Sequence, residues 1–256
     1  MNTILSILIT ITLASDATFR GNPAHTGVFE SEPLTELTSL WWMIEADLPF
    51  TSPAISDSLI FISAKGHDGL FSDREYSRVY AIHKTLGTIR WWMEFPSAYI
   101  SNTSVAGDIL FVGCGSDLYA IDPTLAQVIW EFDVRGDVSI APLVHEDVLL
   151  VSSSAGMLYS IEVSSGNLIW SFDTNSGIAS APTTDGSVVF ICNEDGAVYA
   201  VDMNTGTELW HIDTYVGITS TPAIAYGNLY VTGKDGLYSI DVYSGEIKSP
   251  RTPLVI

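Results

Sequence analysis

The chain repeats itself about every 40 residues, and that period constrains its fold more than any other feature. The segments VYAIH (79–83), LYAID (118–122), LYSIE (158–162), VYAVD (198–202) and LYSID (237–241) stand 39, 40, 40 and 39 residues apart. A second element leads each of them by about 20 to 30 residues: TSPAI at 51, SNTSV at 101, IAPLV at 140, SAPTT at 180 and STPAI at 220. A third follows with Trp91, Trp130, Trp170 and Trp210. Three independent elements thus hold one register through most of the chain. A unit this short cannot bury its own apolar face, so stable packing requires each repeat to stack on its neighbours.

Within a repeat the pattern reads as four short strands. In the fourth repeat these are SAPTT, SVVFICN, AVYAVD and TELWHID, rich in β-branched and aromatic residues and separated by Gly, Asp and Asn. Asp195-Gly196 and Asp235-Gly236 supply the positive-φ positions that tight hairpins demand. Between the third and fourth strands, Asp202 can cap the backbone amides of a turn that closes at Thr205-Gly206. Four strands per 40-residue unit predict an all-β propeller of about five four-stranded blades. Tryptophan at the start of the outer strand suits a wedge-shaped blade, because a large ring fills the widening gap while its N–H finds a carbonyl. Trp91, Trp130, Trp170 and Trp210 are therefore read as structural. In the doubled pairs Trp41-Trp42 and Trp91-Trp92, alternation sends the second ring to the opposite face, as edge cover or as a sticky surface.

The stretch Ala200-x-Asp202-x-x-Thr205-Gly206-x-x-x-Trp210 resembles the tryptophan-docking motif of PQQ-like propeller repeats, the family of quinoprotein alcohol dehydrogenases and BamB-like outer-membrane assembly proteins. The other copies are partial: Ala126 stands for Gly in the second, Glu162 for Asp in the third, His83 for Asp in the first, and the last, Ser239 to Ser249, has no Trp. FRGNPAHTG (19–27) also looks like the lead-in of secreted members. The resemblance implies two functions. BamB-like members are non-catalytic envelope scaffolds, whereas quinoprotein enzymes hold PQQ and calcium with a pair of adjacent cysteines and acidic and amide side chains. Here Cys114 and Cys192 lie two repeats apart, in apolar second strands. No cofactor is therefore expected, and PQQ with calcium belongs only to the oxidoreductase alternative.

Composition narrows the partners. With 30 Asp and Glu against 10 Lys and Arg in 256 residues, the net charge of -20 repels nucleic-acid backbones and anionic lipid surfaces. Two cysteines cannot build a disulfide framework. Residues 4–14 (ILSILITITLA) are apolar apart from Ser and Thr, and Ser15-Asp16-Ala17 follows with small residues in alternate positions, so residues 1–17 are expected to be a signal peptide. The run is shorter than the ~20 residues that span a bilayer, so no stable membrane insertion is expected. Residues 18–38 are then a lead-in, 39–249 the propeller and 250–256 a tail. Closing the ring is assigned to an early strand around Trp41 and Trp42, which is expected to complete the last blade because GEIKS (245–249) is a weak outer strand.

The first repeat is longer than the others by about ten residues, in KGHDGLFSDREYS (65–77). Loop insertions on one rim of a propeller are where binding concentrates, so His67, Asp68, Asp73, Arg74 and Glu75 are the candidate ligand or partner loop. No motif for a nucleophile elbow, phosphate loop, dinucleotide fold or zinc helix occurs, and neither catalytic nor metal-binding residues are assigned. Arg135-Gly136-Asp137 falls at a regular turn between blades, Asn102-Thr103-Ser104 sits in a strand register, and the five histidines share no register. The reading is an exported periplasmic or extracellular scaffold that binds envelope proteins or an extracellular polymer. The alternatives are a PQQ-dependent oxidoreductase, or a subunit of one, and a carbohydrate-binding propeller.

Overall fold

The computed structural model describes residues 50–67, 75–97, 99–218 and 220–252, and throughout them the regular structure is β. Twenty strands form five separate four-stranded antiparallel sheets. Blade one holds β1 (Ala54–Ile55), β2 (Leu59–His67), β3 (Glu75–His83) and β4 (Ile89–Phe95). Blade two holds β5 (Ser104–Ala106), β6 (Ile109–Cys114), β7 (Asp117–Asp122) and β8 (Gln127–Asp133). Blade three comprises β9 (Leu143–His145), β10 (Val148–Ser152), β11 (Met157–Glu162) and β12 (Leu168–Asp173). Blade four comprises β13 (Thr183–Thr184), β14 (Val188–Cys192), β15 (Ala197–Asp202) and β16 (Glu208–Asp213). Blade five comprises β17 (Ala223–Ala225), β18 (Asn228–Gly233), β19 (Gly236–Asp241) and β20 (Ile247–Thr252). Each sheet is ordered as its strands run in the chain, so the expected propeller of five four-stranded blades is what the chain forms.

The second strand of every blade is a two-sided wall, which explains why it reads as a nearly unbroken apolar run. On the side facing the preceding blade stand Leu110 and Val112, Leu149 and Val151, Val189 and Ile191, then Leu229 and Val231. On the side facing the following blade stand Phe61, Phe111, Leu150 and Phe190, each opposite a small residue of the third strand: Ala81, Ala120, Ser160 and Ala200. Four of the five apolar clusters lie between successive blades in this way. The core is therefore a series of interfaces, and no sheet is stable alone.

Hydroxyls stitch the inner strands together. Ser63 Oγ donates to the Ser101 carbonyl at 2.6 Å, Ser104 to Pro142 at 2.5 Å, Ser152 to Ser180 at 3.1 Å and Thr183 to Pro222 at 2.8 Å. These bonds satisfy carbonyls that burial would otherwise leave unpaired, which accounts for the Ser and Thr in an otherwise apolar interior. The turns expected at Gly196 and Gly236 have φ of 95° and 149°.

The last blade differs from expectation at its edge. β20 pairs with β19, runs past residue 249 and includes Pro250, at an irregularity between the pairs Leu237–Thr252 and Ser239–Ser249. Proline is tolerated there because it lies in an outermost strand and at a break in the ladder. Blade five thus has its own fourth strand. The segment around Trp41 and Trp42, and with it the signal peptide and lead-in, lies outside the described residues.

Candidate functional site

The four docking tryptophans share one geometry. Each stands opposite the small residue of the third strand, in the pairs Ala81–Trp91, Ala120–Trp130, Ser160–Trp170 and Ala200–Trp210, and the register slips immediately beyond each pair. Such a bulge re-aims the strand, here turning the ring toward the next blade. Trp91 Nε1 donates to the Pro123 carbonyl at 2.8 Å, Trp130 to Val163 at 3.0 Å, Trp170 to Met203 at 2.9 Å and Trp210 to Val242 at 3.1 Å. Each acceptor belongs to the turn after the third strand of the following blade. The glycine of that turn is the seat: a Cβ at Gly166, Gly206 or Gly245 would fall 2.7, 2.6 or 2.9 Å from the ring of Trp130, Trp170 or Trp210. In the second blade Ala126 takes the same position and keeps the left-handed conformation, with φ 55°.

A carboxylate holds the seat in shape. Asp202 Oδ1 accepts from the amides of Asn204 and Thr205 at 3.0 and 2.8 Å and from the Thr205 hydroxyl at 2.9 Å. These donors, the Thr205 amide first, hold the Asp202 carboxyl below its ordinary range. Asp122 and Asp241 cap their turns in the same way. These acids are turn hardware.

The candidate loop is partly a hairpin. β2 and β3 are nine residues each and stay paired out to His67 opposite Glu75, which lengthens blade one relative to the others. Glu75 is exposed. Asp68, Asp73 and Arg74 lie outside the described residues.

Beside this hairpin lies a group of side chains that the loop argument alone does not indicate. The Arg78 guanidinium is 4.6 Å from the ring of Tyr76 and 4.8 Å from that of Trp92, and it pairs with Glu94 at 2.9 Å. Lys65 Nζ lies 5.4 Å from the Tyr99 ring. Trp92 and Tyr99 are 54% and 53% exposed. The second ring of the doubled pair is therefore a surface feature, as the alternation of the strand predicts. Charge is also uneven: residues 50–97 carry five Lys and Arg with five acids, whereas residues 98–252 carry four with nineteen.

The remaining motifs are structural. Gly136 has φ 83°, Arg135 pairs with Asp173 at 3.2 Å, and the Asp137 backbone bonds to Ser154, so this tripeptide is the joint between blades two and three. Thr103 and Ser104 are buried, and Asn102 accepts from the Ser52 amide at 3.2 Å. Cys114 and Cys192 are buried in separate blades, and burial pushes the Cys114 thiol up to about 11 and that of Cys192 further. These cysteines do not fit a quinone sandwiched by adjacent thiols. Among the described residues no group of three or more His, Cys, Asp or Glu lies close enough to hold a metal ion. No helix among them is long and apolar enough to cross a membrane.

Comparison with known proteins agrees with this architecture. BamB from Moraxella catarrhalis superposes with a TM-score of 0.61 at 20% identity, over 76% of this chain and 58% of that one. A quinohemoprotein alcohol dehydrogenase from Pseudomonas putida HK5 superposes with a TM-score of 0.64 at 18% identity, over 80% and 42%. A quinohemoprotein alcohol dehydrogenase from Comamonas testosteroni gives 0.63 at 14% identity, over 77% and 42%. The chain thus spans between two fifths and three fifths of these structures. No curated protein matches the sequence. Residues 75–246, which contain all four docking tryptophans, match the family described as outer membrane protein assembly factor BamB, and the chain belongs to that family of PQQ-like propellers.

Proposed function

We propose that this protein is a non-catalytic, exported propeller scaffold that binds a protein or polymer partner in the cell envelope. The observation that carries the reading is an aliphatic belt. The outermost strand of every blade holds exposed apolar side chains: Ile89, Val128 and Ile129, Leu168 and Ile169, Leu209 and Ile247, all between 41% and 52% exposed. Apolar surface repeated in register around a periphery marks an interaction face. Family membership supports the same reading, as does the cation and aromatic group of blade one, the part of the chain where an acidic partner meets least repulsion. A PQQ-dependent oxidoreductase is disfavoured by the separate, buried cysteines. A glycan-binding role is the second reading, favoured by the exposed ring of Trp92.

The test is titration of the purified chain with PQQ and calcium, following tryptophan fluorescence and dye reduction, beside affinity capture from envelope extracts. The expected result is no saturable quenching, no turnover, and recovery of a defined partner that Leu168→Asp or Ile129→Asp weakens. Saturable quenching with turnover overturns the scaffold reading. Binding to cell-wall glycans that Trp92→Ala abolishes selects the second.

A further inference from the structure

Two turns at one rim of blade five carry rings that no internal packing requires. In four of the blades the turn between the first and second strands lies beside the turn between the third and fourth, and a backbone bond joins them. The Lys84 amide donates to the Ser58 carbonyl, Val163 to Asp147 and Met203 to Ser187, each at 2.9 Å, and Val242 to Gly227 at 3.3 Å. Just before the acceptor and just after the donor stand Asp57 and Thr85, Glu146 and Ser164, and Gly186 and Asn204; in blade five they are Tyr226 and Tyr243. The two tyrosines are 98% and 82% exposed. Tyr226 also holds a costly backbone position. With Gly227 it makes the two-residue loop between the paired Ala225 and Asn228, at φ of 50° and 72°. A loop with both residues at positive φ takes Asn, Asp or Gly first, because a larger side chain is strained there. Strain without burial gives the fold no use for this ring and points to contact with something outside the chain.

The charge around the pair selects the partner. The turns of the same rim in blades three to five hold Glu146, Asp147, Asp185, Asp202 and Glu246. Among the described residues at that end of these blades the one Lys or Arg is Lys248, and it pairs with Asp241 at 2.5 Å. The rim is continuous from blade three to blade four, since a Cβ on Gly186 would fall 3.4 Å from the His145 ring. The face of a tyrosine ring attracts a cation laid over it, and a surface of one charge sign gathers the opposite sign from solution. We propose that Tyr226 and Tyr243 form a docking site for a basic segment of a partner protein, whose Lys or Arg side chains lie over the two rings while the rim acids draw the segment in. The site gives a charge to the partner of the scaffold reading, on which it rests. It is distinct from the aliphatic belt of the outermost strands and from the cation and aromatic group of blade one.

Fluorescence anisotropy of a labelled deca-lysine peptide, titrated with the full-length protein at physiological ionic strength, tests it. Deca-lysine is expected to bind and deca-glutamate not to. Tyr226→Ser and Tyr243→Ser leave the net charge unchanged, and each is expected to weaken binding about two- to fivefold, the worth of an exposed cation–π contact. Tyr226→Phe keeps the ring and should bind as the wild type does. Tyr215 is the control: it is 88% exposed with φ 59° but lies in the connection between blades four and five, at the opposite rim, so Tyr215→Ser should leave the affinity unchanged. Tyr226→Asn separates binding from folding, because Asn suits the left-handed turn. It is expected to bind as weakly as Tyr226→Ser, with a urea midpoint at or above that of the wild type. Failure of deca-lysine to bind, unchanged affinity in Tyr226→Ser or Tyr243→Ser, an equal loss in Tyr215→Ser, or a lowered midpoint in Tyr226→Asn overturns the proposal. So does a loss, in the tyrosine variants, of binding to purified cell-wall glycan with peptide binding intact. Belt variants such as Leu168→Asp test the scaffold reading and not this rim, so the two can fail separately.

Discussion

Replacing Trp170 by Ala is the sharpest test of how the blades are held together. Trp170 is 8% exposed and packs in the cluster that joins blades three and four, beside Leu143, Leu150, Leu158 and Val189. Its N–H donates to the Met203 carbonyl at 2.9 Å, and its ring lies where a Cβ on Gly206 would come within 2.6 Å. Removing a buried Trp side chain costs about 3 to 5 kcal/mol in transfer and cavity terms. The hydrogen bond is a smaller part, about 0.5 to 1.5 kcal/mol net, so Trp170→Phe should lose only about 1 to 2 kcal/mol. Urea unfolding followed by far-ultraviolet circular dichroism avoids relying on the fluorophore that is removed. With a urea slope of about 2.5 kcal/mol per molar, Trp170→Ala should lower the midpoint by about 1.5 M. Gly206→Ala displaces the same ring from the other side, so in that background Trp170→Ala should cost clearly less than in the wild type. A loss below about 1 kcal/mol for Trp170→Ala, or strict additivity with Gly206→Ala, would refute the docking argument.

Three further outcomes are expected. Ser160 stands under Trp170 where three other blades have Ala, and its buried Oγ has no hydrogen-bond partner among the described residues. Ser160→Ala should therefore raise stability by about 1 kcal/mol, read as a higher urea midpoint. The Asp202 carboxyl is held below its ordinary value of 3.8 by amides that only the folded turn aligns. Its contribution is full above that value and is lost as pH falls through the lowered native one, so the melting-temperature gap between wild type and Asp202→Asn should be present at pH 6 and close on acidification below pH 3.8. Cys114 and Cys192 should resist a thiol reagent at pH 8 in the native protein and react together once urea unfolds it, since burial raises both thiols.

Much of this architecture is legible in the sequence because its determinants are local and repeated. The Trp register, the Asp-to-Gly turns and the two-sided second strands each follow from residue type and spacing, and the structure realises them blade by blade. What is not legible depends on contacts between residues far apart. That Ser63 bonds to Ser101, or that Met203 accepts from Trp170, requires knowing which edges of successive blades meet. The fourth strand of blade five is hard to read because Ser249 replaces the Trp and Pro250 interrupts the run, both signs that count against a strand when tertiary context is unknown. At the candidate loop, the excess length is visible, but half of it continues the hairpin ladder as far as His67 and Glu75. The stacking of Arg78 on Trp92 pairs neighbouring strands, so only the β3–β4 register reveals it.

The forward face of blade five has an outcome for self-association. Where the earlier blades offer Phe or Leu, Ala or Ser, and Trp to the blade that follows, blade five has Tyr230 and Ser239, its register pairs Ser239 with Ser249 where the others pair with Trp, and Thr232 is exposed. A row of identical stacked units can in principle polymerise without limit, one molecule's front joining the next molecule's back, because such head-to-tail contacts propagate instead of closing. Here the front lacks the anchoring tryptophan that each earlier blade presents. The two ends are mismatched like a plug without its pin. The last blade thus presents a front without an anchor for a further blade, and restoring the pin with Ser249→Trp should turn the protein toward concentration-dependent assembly, read by sedimentation.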